Sequence, residues 1–511
     1  MTQICRDSDR CSSYRSQKCL TASLMTMTIS SIIVFVIFWC TDFFSNLIIS
    51  NLVVTRNSPM LDWWVRPPIR AAYKIRIFNY TNIEDFTKGR SAKLRVQEVG
   101  PYIYRETLTR VNTIFYPNGT LSFQEKRSFQ WEGGSPDDDV VVVPNIPLLT
   151  TMAFARDMNM FTQLGLTFAI STFVPQTFVS LPVGGFLWGY DDKIFDAAQP
   201  LLSLLGDIPM DKFGVLAMKK GVSKDVITMH TGEGDLSKMG MVERVNGREY
   251  RNTWGDDSCD KIYGSAGFLY PPEMYRDPKK SLDIYAVDMC RGFKLERAGE
   301  GSSYGIPTMS FKPPADDFNF SPEKDHCYCP RKSKFNHNPW DRTCPPKGIF
   351  NVSACAFDTP MLASFPHFFG GEESLFSNIE GLNPKAELHQ SHLEVHPRLG
   401  LLIGGHSRIQ INVEARKATG VPFLENVKDG QILPIVWIEM GIDSMPENIL
   451  NLLNHAYFSV AIAEAFFQWG SIVGMIFSTS ALLFLLRRNR KQHAVLKRNT
   501  SGQDKLLQES G

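Results

Sequence analysis

Neither sign of charge predominates in this 511-residue chain. It carries 54 Lys and Arg against 53 Asp and Glu, a formal net charge of +1. That balance excludes an overall field aimed at nucleic acid or at an acidic substrate. Walker, dinucleotide-binding and kinase signatures are missing, as are basic patches interleaved with aromatics. No internal repeat and no low-complexity linker divides the chain. Two long runs lack charge altogether. Thr21 to Cys40 is twenty uncharged residues and Ala465 to Leu486 is twenty-two. A helix of twenty residues rises about 30 Å, the thickness of a bilayer's hydrocarbon core.

A cleaved signal peptide fits the first run poorly, and a buried core helix fits the second poorly. The signal peptide would need a small-x-small site after the run, but Phe-Trp-Cys-Thr-Asp is bulky there. The core helix would not stop at Arg487, Arg488, Arg490 and Lys491, which form a stop-transfer pattern. Arg6, Arg10, Arg15 and Lys18 precede the first run. The positive-inside bias therefore places both termini in the cytosol, and the roughly 420 residues between the runs outside the cell or in a lumen. The expected organisation is a cytosolic tail over 1–20, a transmembrane helix over 21–41, an ectodomain over 42–460, a second transmembrane helix over 461–486 and a cytosolic tail over 487–511.

Residues 325–355 hold four of the ten cysteines together with two histidines. Zinc would want pairs such as C-x2-C, and the segment offers only Cys327-Tyr328-Cys329. The ectodomain contains six cysteines: Cys259, Cys290, Cys327, Cys329, Cys344 and Cys355. In an oxidising compartment an even number favours disulfides, and six allow fifteen connectivities among which the residues themselves do not choose. Sequons at Asn79, Asn118, Asn319 and Asn351 are candidate glycosylation sites, whereas Asn499 in the tail is expected to stay unmodified. Cys5, Cys11 and Cys19 before the first apolar run are candidates for S-acylation.

Strand signals dominate the middle. Leu94 to Arg110 is rich in β-branched and aromatic residues and is interrupted by a Gly100-Pro101 turn. Asn118-Gly119 and Asn246-Gly247 mark hairpins. Asp225 to Thr231 reads as a strand, Arg408 to Val413 alternates, and Ile432 to Ile438 is a buried apolar strand. Together these predict one large antiparallel-rich domain. Ile146 to Gly185 differs, with helix-like runs broken by Pro147, Pro175 and Pro182. It is either a buried helical core or an exposed apolar surface that meets lipid. Phe161, Leu164, Phe168, Phe173 and Phe178 are its candidate ligand-binding residues.

Catalytic and metal readings are thin. Gly301-Ser302-Ser303-Tyr304-Gly305 fits G-x-S-x-G, but the motif needs a helix directly after the Ser, and a strand-like run follows instead. His389, His392 and His396 could bind a metal on one helix face, but their run reads as extended. No enzyme activity, metal or cofactor is expected.

Certain stretches in this order resemble the class B scavenger receptor family, and the resemblance covers the whole chain. They are the two-span hairpin, Val99-Gly100-Pro101-Tyr102-Ile103-Tyr104-Arg105, Leu187-Trp188-Gly189-Tyr190 and Gly305-Ile306-Pro307. Then come Cys327-Tyr328-Cys329, Ser364-Phe365-Pro366-His367-Phe368, Gly381-Leu382-Asn383-Pro384 and Leu433-Pro434-Ile435-Val436-Trp437. The family includes fatty acid translocase, the high-density lipoprotein receptor, the lysosomal integral membrane protein and insect sensory neuron membrane proteins, and this chain looks insect-like.

The resemblance implies an α+β ectodomain: a large antiparallel β-barrel with short helices, an apical helical bundle near 148–185 and a hydrophobic tunnel toward the bilayer. It implies the disulfides Cys259–Cys327, Cys290–Cys355 and Cys329–Cys344. The expected partners are lipids and lipoprotein particles, with self-association among the candidates and nucleic acid excluded. The expected location is the plasma membrane, or alternatively a lysosomal or endosomal membrane. The alternative function is a trafficking receptor for a luminal protein cargo. Against that alternative, Asp504 stands only two residues before Leu506, and position 502, where an acidic dileucine signal wants an acid, is Gly. Fatty acid translocases carry apical lysines, but no Lys or Arg lies between Arg156 and Lys193 here, so neutral lipids such as carotenoids or sterols are favoured.

Overall fold

The structure is a computed structural model that describes residues 8–41, 43–205, 210–272, 279–321, 323, 325–330, 343–418, 421–424 and 426–508. The chain divides into two compact units, Asn51–Leu450 and the two terminal segments together.

In the terminal unit, two helices are long and apolar enough to cross a membrane, within Gln17–Cys40 and Glu447–Gln492. The first lies within the helix Ser8–Cys40, and most of the second within the helix Val460–Gln508. Small and polar side chains zip these two together. Thr28 Oγ1 donates to Ser478 Oγ at 2.9 Å, and Gln468 Nε2 donates to the Phe38 carbonyl at 2.9 Å. Gly474 is needed where the helices meet, since a Cβ there would lie 2.8 Å from Ser31 Oγ. Close approach over small residues with interhelical hydrogen bonds is how helices associate where no hydrophobic effect operates between them.

The larger unit is a near-closed antiparallel barrel. Its first strands are β1 (Ala72–Tyr80), β2 (Leu94–Phe115), β3 (Thr120–Gly134), β4 (Val140–Pro144), β5 (Phe178–Pro182) and β6 (Gly221–Val222). They are followed by β7 (Ile227–His230), β8 (Val242–Val245), β9 (Leu282–Ala286), β10 (Arg291–Ser303), β11 (Ile306–Lys312) and β12 (Ile349–Asn351). The last are β13 (Met361–Ser364), β14 (Ile379–Glu380), β15 (His392–Val395), β16 (Leu402–Ala415) and β17 (Gln431–Gly441). The main path runs β8-β7-β3-β2-β1-β17-β16-β15-β11-β10-β9.

The hairpin signals resolve as turns. Asn246 and Gly247 both take left-handed φ, as a two-residue hairpin loop requires. Tyr304 and Gly305 do the same between β10 and β11. Ser303 is therefore the last residue of a strand entering a hairpin; its Oγ donates to the Ile403 carbonyl at 3.3 Å, and no helix follows it. Gly100-Pro101 is not a turn. It lies inside β2, where the β1–β2 register shifts between Ile75 and Ile77. A bulge reads like a turn in sequence because both use a glycine at positive φ.

Both faces of the central strands are covered. On one face Tyr73, Ile75, Ile77, Val436 and Ile438 join a core with Val141, Leu148, Met152, Val183 and Phe186, contributed by the overlying helices and β4. This is why β17 reads as an almost unbroken apolar run.

Disulfides join Cys259 to Cys327, Cys290 to Cys355 and Cys329 to Cys344, at sequence separations of 68, 65 and 15. In the chain-entropy picture the two long loops each remove about 4 kcal/mol from the unfolded ensemble, and the short one about 3 kcal/mol. Beside them, Arg291 is ringed by aromatics. Its Cζ lies 4.8 Å from the Phe293 ring centre, 5.1 Å from Phe350 and 5.2 Å from both Phe320 and Tyr328. Arg291 Nη2 also meets Asp317 at 3.1 Å. A guanidinium packed this way is held by ring quadrupoles and one carboxylate. Arg291→Ala is expected to cost the oxidised ectodomain about 3–5 kcal/mol, because it leaves Asp317 buried without its partner. Chemical denaturation of the two proteins measures this, and a loss below about 1 kcal/mol would refute the account.

Candidate functional site: an apolar face and a polar wall

The stretch 146–171 forms two helices of opposite character. The helix Ile146–Arg156 starts at Asn145, whose Oδ1 accepts from the Leu148 N–H at 3.1 Å, and Pro147 sits in its first turn, where a missing N–H costs nothing. It buries Ile146, Leu148, Leu149, Met152 and Ala155. The helix Met160–Ser171 is capped the same way by Asn159, yet among its residues only Ile170 is buried. Met160 is 73% exposed, Phe161 87%, Leu164 51% and Phe168 77%.

Val174, after this second helix, is 78% exposed at φ 49°, a left-handed conformation that a β-branched residue seldom takes. Together these side chains offer on the order of 600 Å2 of apolar surface, the upper end of what a single chain usually shows. So the two readings of this stretch each hold for one helix: the first is core and the second is surface. Of the five candidate ligand-binding residues, Phe161, Leu164 and Phe168 stand on the open face and Phe173 is half-buried against the core. Phe178 does not belong to that face. It is 7% exposed on β5 and packs against Tyr80, with 5.0 Å between ring centres.

The second feature is the other face of the central strands, which is polar and still largely buried. Lys74, Glu439 and Arg408 are direct partners across β1, β17 and β16. Arg408 Nε donates to Glu439 Oε2 at 2.7 Å, and Lys74 Nζ stands 3.6 Å from Oε1. Burial works to raise the Glu439 carboxyl, but the Arg408 hydrogen bond and the cations around it bring it below its ordinary value.

One step along the strands, Glu98 Oε2 accepts from Trp437 Nε1 at 2.9 Å and from His367 Nε2 at 2.5 Å. Arg76 lies over Trp437, its Cζ 4.4 Å from the ring centre. Burial again opposes the Glu98 charge, and the His367 and Trp437 bonds overcome it, so its carboxyl is also lowered. The His367 ring stacks on His389 at 4.5 Å and 14°. Burial and the neighbouring His367 push the His389 imidazole down to about 4.

Glu98, His367 and His389 bring one ligand atom each within 4.8 Å of one another. Their chemistry nevertheless suits protons rather than a metal. His367 Nδ1 accepts the Asn383 N–H at 3.1 Å and His389 Nδ1 accepts the Lys385 N–H at 2.9 Å. Each ring must then carry its hydrogen on Nε2, the atom a metal would need bare. Stacked parallel rings also keep their in-plane lone pairs from converging. The sequence triad His389, His392 and His396 does not form a metal group. His389 faces His367, His392 faces His406 at 5.5 Å, and His396 Nδ1 accepts from Arg398 and Leu399 N–H groups.

Sequence reasoning missed this wall. The signal was there in alternation: Lys74 and Arg76 between Tyr73, Ile75 and Ile77, and Arg408, Gln410 and Asn412 between Ile409, Ile411 and Val413. Alternation suggests one wet face, whereas Gln410 and Asn412 are fully buried. Two hollows lie elsewhere. One of about 130 Å3 is lined by Pro313, Phe318, Phe365 and Phe369; an open one of about 330 Å3 is lined by Asn79, Tyr102 and Asp139. Pockets for drug-sized ligands usually hold about 300–1,000 Å3, so the first is too small for a whole lipid.

Of the acylation candidates, Cys5 lies outside the described residues, Cys11 is on the helix Ser8–Cys40, and Cys19 on that helix is exposed. Among the sequons, Asn118 and Asn319 are exposed and Asn79 is half-buried, with its Oδ1 accepting from the Val142 N–H. Asn351 is 4% exposed, its Oδ1 held by Ser353. Glycopeptide mass spectrometry of the secreted ectodomain should find glycan at Asn118 and Asn319 and none at Asn351; a fully occupied Asn351 would contradict the fold around β12.

A family model described as the CD36 family matches residues 22–486. Scavenger receptor class B member 1 of Bos taurus is 30% identical over 405 residues, which cover 77% of this chain and 74% of that protein. The same receptor of Sus scrofa is 29% identical over 397 residues, covering 76% and 74%. Lysosome membrane protein 2 of Homo sapiens is 26% identical over 440 residues, covering 84% and 87%.

Proposed function

The chain belongs to the CD36 family, a family of non-enzymatic membrane receptors for lipid and lipoprotein, and from that premise we propose a finer reading. This protein is a cell-surface receptor that takes up neutral lipid, such as a carotenoid or sterol, and passes it through an internal apolar path to its own membrane. Both tails lie in the cytosol, as the basic clusters at Arg6–Lys18 and Arg487–Lys491 suggest.

The observation that carries this reading is the exposed face of Phe161, Leu164, Phe168 and Val174, set in a stretch with no Lys or Arg from 157 to 192. A fatty-acid carboxylate or an oxidised, anionic particle gains from a cation at its docking point. A neutral ligand needs only area, at roughly 25 cal/mol per Å2 covered. A lipid covering on the order of 400 Å2 recovers most of what it costs to leave a micelle. Transfer then runs down the lipid's own gradient and needs no energy source.

An insect-like lineage draws no support from the mammalian relatives. The second reading, a trafficking receptor for a luminal protein, is favoured by the similarity to lysosome membrane protein 2, and an exposed apolar helix also suits a protein partner. Extraction and mass spectrometry of what copurifies with the glycosylated ectodomain separates the two: a uniform neutral lipid supports the first, a bound protein the second. Phe161→Asp with Phe168→Asp should leave thermal stability within about 1 kcal/mol, since both rings are exposed, while lowering sterol or carotenoid uptake about tenfold or more. Tight binding of oleate with no binding of a sterol would overturn the preference for neutral lipid.

A further inference from the structure

We propose that the stacked pair His367–His389 is an acid-triggered latch, which fastens segment 366–391 to the barrel wall while both rings are neutral and releases it when a proton is added.

The latch holds a strained piece of chain. His367 and Phe368 are consecutive residues with φ of 54° and 55°, a region L side chains rarely adopt, and neither is glycine. Both are buried. Backbone in this state persists only where its surroundings over-determine it. Here the His367 N–H donates to Gln410 Oε1 at 2.6 Å on β16, Nε2 donates to Glu98 on β2, and Nδ1 accepts the Asn383 N–H. The edge of Phe78 on β1 closes the fourth side at 5.1 Å. The far end of the segment is held by His389, whose ring meets His367 on one side and Trp437 on β17 on another, at 5.7 Å.

These contacts tolerate only neutral imidazoles. A backbone N–H can donate to Nδ1 only while Nδ1 keeps its lone pair. Adding a proton there sets two donors against each other, at Asn383 or at Lys385. It also places a cation in a ring stack whose partner is 4.5 Å away. The charged groups facing the pair are Glu98 from β2, Arg76 from β1 and Arg408 from β16. Glu98 stands at His367 Nε2, whereas Nδ1 of each ring meets a backbone N–H, so the second N–H of an imidazolium would face a donor and not a carboxylate.

In the released segment the His389 imidazole titrates near its usual value of about 6.5. In the fastened state, burial first and then His367 hold it down to about 4. Between those values the released state takes up the proton and the fastened state does not. Fastening is therefore complete above about pH 6.5, weakens as pH falls, and levels off below about 4. The window covers the drop from a cell surface to an acidic vesicle.

Hydrogen–deuterium exchange on the intact oxidised ectodomain tests this without any lipid, so it stands or falls separately from the uptake reading. After correction for intrinsic rates, exchange across 366–391 should rise about tenfold or more between about pH 7.4 and about pH 5, with the Asn383 and Lys385 amides leading and β1 and β17 unchanged. His389→Phe keeps an aromatic ring in the stack but removes the proton site, and should abolish the response at Asn383. Equal protection of 366–391 at both pH values, or an undiminished response in His389→Phe, would overturn the latch. If that variant does not fold, the wild-type comparison decides alone.

Discussion

One carboxylate, Glu439, sits mid-wall with Lys74 as its partner on β1 and Arg408 on β16. Three adjacent strands are thereby fixed in a single register by opposite charges facing each other. Because side chains alternate with a period of two, a slip of one residue would carry Glu439 into the apolar core and bring Ile438 to face the cations. Burying an unpaired charge is far costlier than losing a contact. The ion ladder therefore works chiefly as a specification of alignment. The apolar face it fixes receives the helix Ile146–Arg156, and that helix in turn sets where the exposed helix Met160–Ser171 begins. The polar face it fixes receives segment 366–391.

The same alternation explains what could and could not be read from the chain. The antiparallel strands were legible, since Asn118-Gly119, Asn246-Gly247 and the runs in β16 and β17 carry local signals of turn and strand, while their closure into a barrel came only with the family resemblance. Gly100-Pro101 misled because a bulge and a turn ask for the same residue types. The wall was not legible, since a polar residue on an alternating strand looks alike whether water or a folded segment covers it. What covers β16 and β17 comes from residues some forty to seventy positions earlier, and no local pattern reports on it. The burial of Phe178 was hidden for a related reason: apolar composition marks Phe161 and Phe178 equally, and only the cap at Asn159 and the pairing of β4 with β5 separate surface from core.

Two parts of the larger unit solve opposite problems with charge. Around Arg291, a cation is kept in a greasy shell of rings next to the disulfide-linked segments, where the covalent links already restrict the unfolded chain and one carboxylate suffices to pair it. On the exposed helix Met160–Ser171, charge is left out altogether, and Arg156 before it is tied to Asp429 at 3.1 Å. The border arginine is thus engaged with its own chain and adds little free positive field to the open face.

The apolar face and the wall therefore answer to different conditions. An apolar face without ionisable groups binds with a strength that neither pH nor salt changes much, because area carries it. The histidine pair is the converse: both rings are buried, so salt screens them poorly, while a single proton on one ring sets its Nδ1 against a backbone N–H and charges the ring stack. Area on the exposed helix and protonation at the wall are thus independent variables: acidification acts on the histidine pair and leaves the apolar face as it was, since no ionisable group lies between Met158 and Tyr190.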